Sequence, residues 1–371
     1  MKKDEAILLL ASGESSADIR YATGLNTPDN FIAFVINGQS YAILSPLEYD
    51  RARKSDNKTC LVLRDSDFNG PDKLEVIKTV ADKFDLNQFT VPADFPLLWA
   101  DRLRENGFRV IPAANAIFPQ REFKTSREAE LIREAEKAAC SALCRAVEII
   151  GESSIGKHRE IIWQNAPLTS EILRGEIDCQ LIRCGMFPTG TICAGGSQSA
   201  QPHNAGSGIL YAYTPIVMDI FPKSMDSGYW GDLTRTVVKG KAPDIVKKAH
   251  TAVCEAKYAA ISEIAVGKSP ADLHTLAERI LASHGFTTGV GDSGDYGFFH
   301  SLGHGVGLEI HEEPRISYRN TSPLQGGEII TIEPGLYYPE WGGIRQEDLL
   351  YISSGGDVQN FTTLPDTLEV P

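Results

Sequence analysis

The sequence predicts an α/β N-terminal domain over residues 1–120 and an α+β C-terminal domain over residues 121–371. Three observations predict it. The chain has 371 residues, more than one hydrophobic core usually serves. Residues 1–120 alternate short apolar runs with helically spaced ones. Residues 111–124, IPAANAIFPQREFK, are irregular and hold Pro112 and Pro119, and a long helical pattern opens directly after them.

In the first domain ILLLAS (7–12), FIAFVI (31–36) and SYAILS (40–45) read as strands, with Asn37-Gly38 between the last two as a hairpin turn. TCLVLR (59–64) and FTVPADF (89–95) read as further strands. LEVIKTVADKF (74–84) and PLLWADRLRENG (96–107) have helical spacing, and Gly107 ends the second. The N-terminus, MKKDEAILLLASG, has the outline of a leader peptide. Asp4 and Glu5 follow its lysines, however, and the apolar run Ala6 to Ala11 is short, so it reads as the first strand of a mature domain. No apolar run approaches the length of a membrane span. No cluster of catalytic side chains falls in this domain.

The second domain opens with Thr125-Ser126-Arg127-Glu128, a capping box. The helix behind it runs to about Ile150, with Leu131, Ala135, Ala138, Ala142 and Ala146 on one face; Cys140 and Cys144 read as packing residues. A further helix spans Ser170 to Cys184 and stops at Gly185. The Gly/Ser/Ala-rich loop PTGTICAGGSQSAQPHNAGSG follows, carrying His203. Such a loop can approach a ligand closely, but it lacks the Lys-Ser/Thr of a phosphate-binding loop. Then comes IVMDIFPKSMDSGYWGDLTRT (216–236), two apolar runs around a turn-rich middle. It reads as a β-hairpin, and alternation along its strands can turn Asp219 and Asp232 to one side. Two like charges that close repel unless a cation lies between them. Helices are expected over Asp244 to Val266 and after Ser269-Pro270, with Ser269 as the cap and Gly285 beyond the end. FFHSLGHGVGLEIH (298–311) holds His300, His304 and His311. Glu333 ends an apolar run just before Pro334-Gly335, and Glu347 sits between two short apolar segments. Each acid alone reads as solvated surface; Asp219, Asp232, Glu333, Glu347 and His304 together offer four carboxylates and an imidazole.

Formal net charge is −13 and the isoelectric point is near 5.1, which excludes nucleic acid and anionic membrane as main partners. The seven cysteines are dispersed and form no C-x-x-C pair. That pattern fits reduced thiols in a cytoplasmic protein, without disulfides or a thiolate zinc site.

In order, D219…D232-LTRT…H300-SLGHGVGLEIH311…IEPG…GIRQED resembles the pita-bread metallopeptidases: prolidases (Xaa-Pro dipeptidases), Xaa-Pro aminopeptidases and methionine aminopeptidases. The likeness is strongest to the prolidase branch. It covers residues 125 to 360 by motif, and ADIRYATGL (17–25) resembles the creatinase-type N-terminal domain of that branch. Single motifs of this kind are weak; five donors in the family's order, each in its own motif, are specific.

The resemblance implies a pita-bread fold with a dinuclear site. Asp219 would chelate one metal, His304 and Glu333 the other, and Asp232 and Glu347 would bridge both, around a bridging hydroxide that cleaves the bond before proline. Oxygen-rich donors with one imidazole suit Mn²⁺, Co²⁺, Fe²⁺ or Zn²⁺. The resemblance gives catalytic roles to His203, His300, His311 and Glu333, which would assist proton transfer. It makes Arg345 a support for the donor carboxylates on the substrate side, and Arg315 a clamp for a substrate carboxylate. It further implies a homodimer acting on small peptides. One departure stands out: Asp219 and Asp232 are thirteen residues apart, longer by an even number than the family hairpin usually has. An even insertion keeps the face each side chain points to. Two other readings use the same fold: a lyase on a small zwitterion such as dimethylsulfoniopropionate, and a non-catalytic binding module of the kind found in histone chaperones. The binding modules lose the donors, as creatinase does, and this chain has all five.

Overall fold

The computed structural model of the protein describes residues 6–54, 60–68, 72–292 and 294–371. Thr59 of the expected strand 59–64 and the first five residues of the N-terminal reading lie outside them. The chain divides into two compact units, Met1–Arg121 and Glu122–Pro371.

The first unit is a six-stranded mixed sheet. From edge to edge the strands are Cys60–Arg64, Gln39–Leu44, Phe31–Ile36, Ala6–Ala11, Gln88–Val91 and Arg109–Pro112. The pairing of Phe31–Ile36 with Gln39–Leu44 turns at Asn37 (φ 51°) and Gly38 (φ 81°), the left-handed pair that a two-residue hairpin demands. FIAFVI is apolar throughout because helices cover both faces of the sheet. Ile32, Phe34 and Ile36 join one core beneath helix Lys73–Phe84, and Phe31 and Ala33 join another on the opposite face beside helix Ala17–Thr23. The run 89–95 leaves the sheet after Val91, since Pro92 has no N–H to give to a ladder.

The second unit is built from two layered halves. In one, helices Ser126–Glu152 and Ser170–Arg183 pack over strands Ile192–Gly195, Ile216–Ile220 and Leu233–Lys239. In the other, helices Asp244–Ser262 and Pro270–Ser283 pack over a five-stranded sheet that contains Gly303–Gly305, Ile329–Ile332 and Asp348–Ile352. The Thr125–Glu128 capping box forms in both directions. The buried stripe of its helix runs through Ile132, Ala135, Ala139, Ala142 and Ala146, with Ala138 beside it. Leu131 is only half-buried, so it does not join that stripe as expected, and Cys144 is exposed rather than packed as expected. Helix Asp244–Ser262 stops short of Val266, and the Ser269 side chain makes no capping bond although Ser269 holds the N-cap position. Among the described residues no helix is long and apolar enough to cross a membrane.

The expected hairpin forms between Ile216–Ile220 and Leu233–Lys239, with Asp219 opposite Thr234. Its second strand begins only at Leu233; Tyr229 and Trp230 belong to the tip. There Lys223–Ser224 pairs with Met186–Phe187, the Ser224 N–H donates to Tyr229 O at 2.8 Å, and Lys223 bridges Trp230. The chain beyond Asp219 forms this separate short ladder, and the strand carrying Asp219 pairs in unbroken register with Leu233–Lys239.

Candidate functional site

Three sequence features aim the donors inward. Gly231 lies against the third turn of helix Ser126–Glu152, and a Cβ there would stand 2.7 Å from the Ala135 carbonyl carbon and the Glu136 nitrogen. Only glycine allows that approach, which brings Asp232 up to the helix. Trp230 holds the other side: its backbone N–H donates to Gly307 O and its indole N–H to Leu308 O, both at 3.0 Å. His304 sits between Gly303 and Gly305 on a short central strand. Cβ atoms at those glycines would meet Thr331 O at 1.9 Å and Glu313 O at 2.1 Å. The strands on both sides thus fix the His304 backbone, and its N–H also donates to Thr331 Oγ1 at 3.1 Å. Glu333 follows Ile329–Ile332 directly, and Glu347 occupies the break between Gly342–Arg345 and Asp348–Ile352. The Glu347 N–H donates to Thr234 O at 3.1 Å, while the Thr234 hydroxyl donates back to Glu347 Oε2 at 2.7 Å.

All ten residues singled out in the sequence line one cavity of about 880 Å³. These are Asp219, Asp232, His304, Glu333 and Glu347 with His203, His300, His311, Arg315 and Arg345. One donor atom each from Asp232, His304 and Glu347 lies within 4.8 Å of the other two. His304 Nδ1 is 3.1 Å from Gly305 O, which can only accept, so Nδ1 carries the proton. Nε2 is then a bare lone pair, and it faces Glu333 Oε1 at 3.3 Å and Asp232 Oδ2 at 3.5 Å. Burial pushes the His304 imidazolium down to about 3, with His311 adding to it, so the ring is neutral and these contacts are not ion pairs. Lone pairs converging on one point fit a cation between them.

The carboxylates say the same. Burial first, then repulsion from Glu347 and Asp219, raises Asp232 well above the carboxylate range. Burial and the charges of Glu333 and Asp219 raise Glu347 likewise. Burial lifts Glu333 to about 8 despite Arg345 nearby. Only positive charge lets such a group ionise together. The donor set therefore fits divalent metal.

Arg345 lines the cavity, but its guanidinium is taken up by the protein. It donates to Asp219 Oδ2 at 2.6 Å, Tyr337 Oη at 2.9 Å and Thr234 Oγ1 at 3.1 Å. This geometry makes it a holder of Asp219 rather than a contact for substrate. His300 is held as well, with Nδ1 2.7 Å from Ser301 O and Nε2 3.1 Å from Tyr337 Oη. His311 stands edge-on to His304, ring centroids 4.5 Å apart. Arg315 has no carboxylate partner among the described residues. His203 is exposed on its loop.

The sequence reading missed Glu136. It is fully buried on helix Ser126–Glu152, where Oε2 accepts the Asp232 N–H at 3.0 Å and Oε1 accepts from the Thr362 hydroxyl. Burial pushes it up to about 7. It also missed Arg235, which donates to Glu347 O and, at 2.9 Å, to Asp348 Oδ1. Lys257, fully buried, ties Asp348 at 2.8 Å to Asp366 at 2.7 Å. The second layer of the site is thus a buried ion network behind Glu347 and one acid behind Asp232.

The family model described as metallopeptidase family M24 matches residues 130–354. An Xaa-Pro dipeptidase of Pyrococcus furiosus is 34% identical over 64% of this chain and 62% of its own length. An Xaa-Pro dipeptidase of Pyrococcus horikoshii is 30% identical over 87% of this chain and 84% of its own. Among solved structures, an X-Pro aminopeptidase from Thermotoga maritima superposes with a TM-score of 0.83 at 24% identity, covering 99% of this chain and 98% of that one. A prolidase from Pyrococcus furiosus gives 0.79 at 25% identity, covering 98% and 97%. These likenesses show the pita-bread fold with its N-terminal domain.

Proposed function

The chain belongs to metallopeptidase family M24, and from that premise we propose that it hydrolyses the peptide bond before proline, as an Xaa-Pro dipeptidase or Xaa-Pro aminopeptidase. The relatives named above carry those activities in their names and do not favour a lyase or a binding module. The observation that carries the reading is the convergence of His304 Nε2 with the carboxylates of Asp232, Glu333 and Glu347.

Asp219, Asp232, His304, Glu333 and Glu347 would hold two divalent ions, from among Mn²⁺, Co²⁺, Fe²⁺ and Zn²⁺. Such ions supply an acidified water and polarise the scissile carbonyl. Glu333 takes the proton of the attacking water and returns it to the proline nitrogen. Arg345 fixes the Asp219 carboxylate in place. His203 and His311 stand where they can hydrogen-bond the peptide around the scissile bond. Ile192, Phe221 and Ile310 supply apolar wall for the pyrrolidine ring. The same reading makes the enzyme a cytoplasmic homodimer, supported by its dispersed thiols and its family.

The test is a peptide panel: Xaa-Pro dipeptides, Xaa-Pro-Yaa tripeptides and Met-Ala peptides, with chelator-treated enzyme and each of the four ions. Cleavage confined to proline peptides and to metal-restored enzyme is expected. Full turnover by protein shown to be metal-free, or a preference for Met-Ala, would overturn the reading.

A further inference from the structure

Glu136 stands on the buried stripe of helix Ser126–Glu152, in line with Ile132, Ala139 and Leu143, and its side chain is fully buried. Its partners are the Asp232 N–H, the Thr362 hydroxyl and, at 4.0 Å, the Cys140 thiol. No ion pair reaches it among the described residues: Arg235, whose charge it feels, pairs with Asp348 and Asp366 instead. A buried acid without a salt bridge is less favourable there than an apolar side chain of its size. Packing of the helix does not account for it.

The reach of its two oxygens does. Oε2 accepts the N–H of Asp232 at 3.0 Å, and Asp232 directly precedes strand Leu233–Lys239. Oε1 accepts from the Thr362 hydroxyl, whose oxygen in turn accepts the N–H of Leu349 at 2.9 Å. Leu349 lies on strand Asp348–Ile352, just past Glu347. The two strands also hold each other through the bonds between Thr234 and Glu347. The contacts therefore close a circuit: Glu136 to Asp232, along the strand to Thr234, across to Glu347, on to Leu349, and back through Thr362. Asp232 and Glu347 are the acids that, with His304, bring one donor atom each within 4.8 Å of the others.

The circuit is specific in its chemistry. Every group that meets Glu136 is a donor, and a carboxyl group offers lone pairs at both oxygens. An amide offers them at one end only. A leucine offers none and leaves the Asp232 N–H unpaired in the interior.

Resting on the reading of the five donors as a metal centre, we propose that Glu136 is a positioning residue for that centre: it fixes Asp232 and Glu347 relative to each other, so both carboxylates are in place before an ion arrives. Without it every donor remains, but the two strand ends can part, and binding an ion must first order them.

The experiment titrates chelator-stripped protein with Mn²⁺ by calorimetry, beside the melting temperature of the metal-free protein, in wild type, Glu136→Gln, Glu136→Leu and Thr362→Val. Glu136→Leu should weaken Mn²⁺ binding about tenfold or more, although it removes no donor. Glu136→Gln keeps one acceptor for the Asp232 N–H and should recover most of that loss. Thr362→Val cuts only the arm to Leu349, so it should weaken binding less than Glu136→Leu does. Added to Glu136→Leu it should change little, because the circuit is already open. If Glu136→Leu does not fold, Thr362→Val decides, and wild-type affinity there overturns the proposal. Lowered melting temperatures with wild-type Mn²⁺ affinity in the folded variants would make Glu136 a packing residue and leave the metal centre standing. Fully additive losses in the double variant would break the circuit in the same way. Wild type that takes up none of Mn²⁺, Co²⁺, Fe²⁺ and Zn²⁺ overturns the metal reading, and this one with it.

Discussion

His203 lines the donor cavity from the loop before Ile216–Ile220 and is not one of the five donors. On the proposed function its contribution would be to the reacting peptide. His203→Ala is expected to keep its melting temperature and its metal content while losing on the order of a hundredfold in kcat, the usual cost of one positioned donor. A structural histidine would give the reverse: a lower melting temperature with near-normal turnover of the folded fraction. Melting, metal content and kcat on one preparation separate the two. Asp219, Asp232, His304, Glu333, Glu347 and His203, which the structure places on one cavity, could be singled out because each ends or interrupts an apolar run or sits in a glycine-rich stretch. Glu136 could not. An acid on a helix reads as solvated surface, and only the packing of the helix shows otherwise. The signal was there in weak form. Glu136 interrupts the stripe Ile132, Ala139, Leu143 as the one polar member of that buried face.

The element that most constrains the site is the strand edge Glu347-Asp348. Adjacent residues point to opposite faces: Glu347 turns to the donors and Asp348 to Arg235, Lys257 and Asn360. Asp366 closes that network against Lys257 and Arg235. Burial works to raise the Asp366 carboxyl, but Arg235 and Lys257 outweigh it and hold it below the ordinary range. A depressed carboxylate stabilises the fold above its unfolded pKa of about 3.9 and loses that effect as pH falls through its folded value. Asp366→Asn is therefore expected to cost about 3 kcal/mol near neutrality, because it leaves the buried Arg235 and Lys257 to share the charge of Asp348. The gap to wild type should narrow below about pH 4. Urea midpoints at both pH values measure it, and a gap that ignores pH would assign the loss to packing. Most elements could be read from periodicity and caps, since those signals are local. The tip ladder of Lys223–Ser224 with Met186–Phe187 joins segments far apart in sequence, and no local pattern announces it.

At the scale of the molecule, each unit has its own apolar cores, and every donor belongs to the second unit. The layering of that unit was not written in any one stretch: its two helix pairs cover strands drawn from distant parts of the chain. The net charge of −13 is ordinary surface acidity in part. Its costliest share is the set of acids around His304. Burial and neighbouring acids raise Asp232 and Glu347 well above the carboxylate range, and burial with Asp219 lifts Glu333 to about 8, so the metal-free cluster holds protons more tightly than free carboxylates do. Entry of metal must expel those protons. Titrating metal-free protein with Mn²⁺ in weakly buffered solution should thus acidify it, by roughly one proton or more per chain, and apparent affinity should climb with pH. An unchanged pH would mean the acids were already ionised. The centre behaves as an ion exchanger: it gives up hydrogen ions as metal enters, so the acidity of the surroundings sets how readily the protein fills.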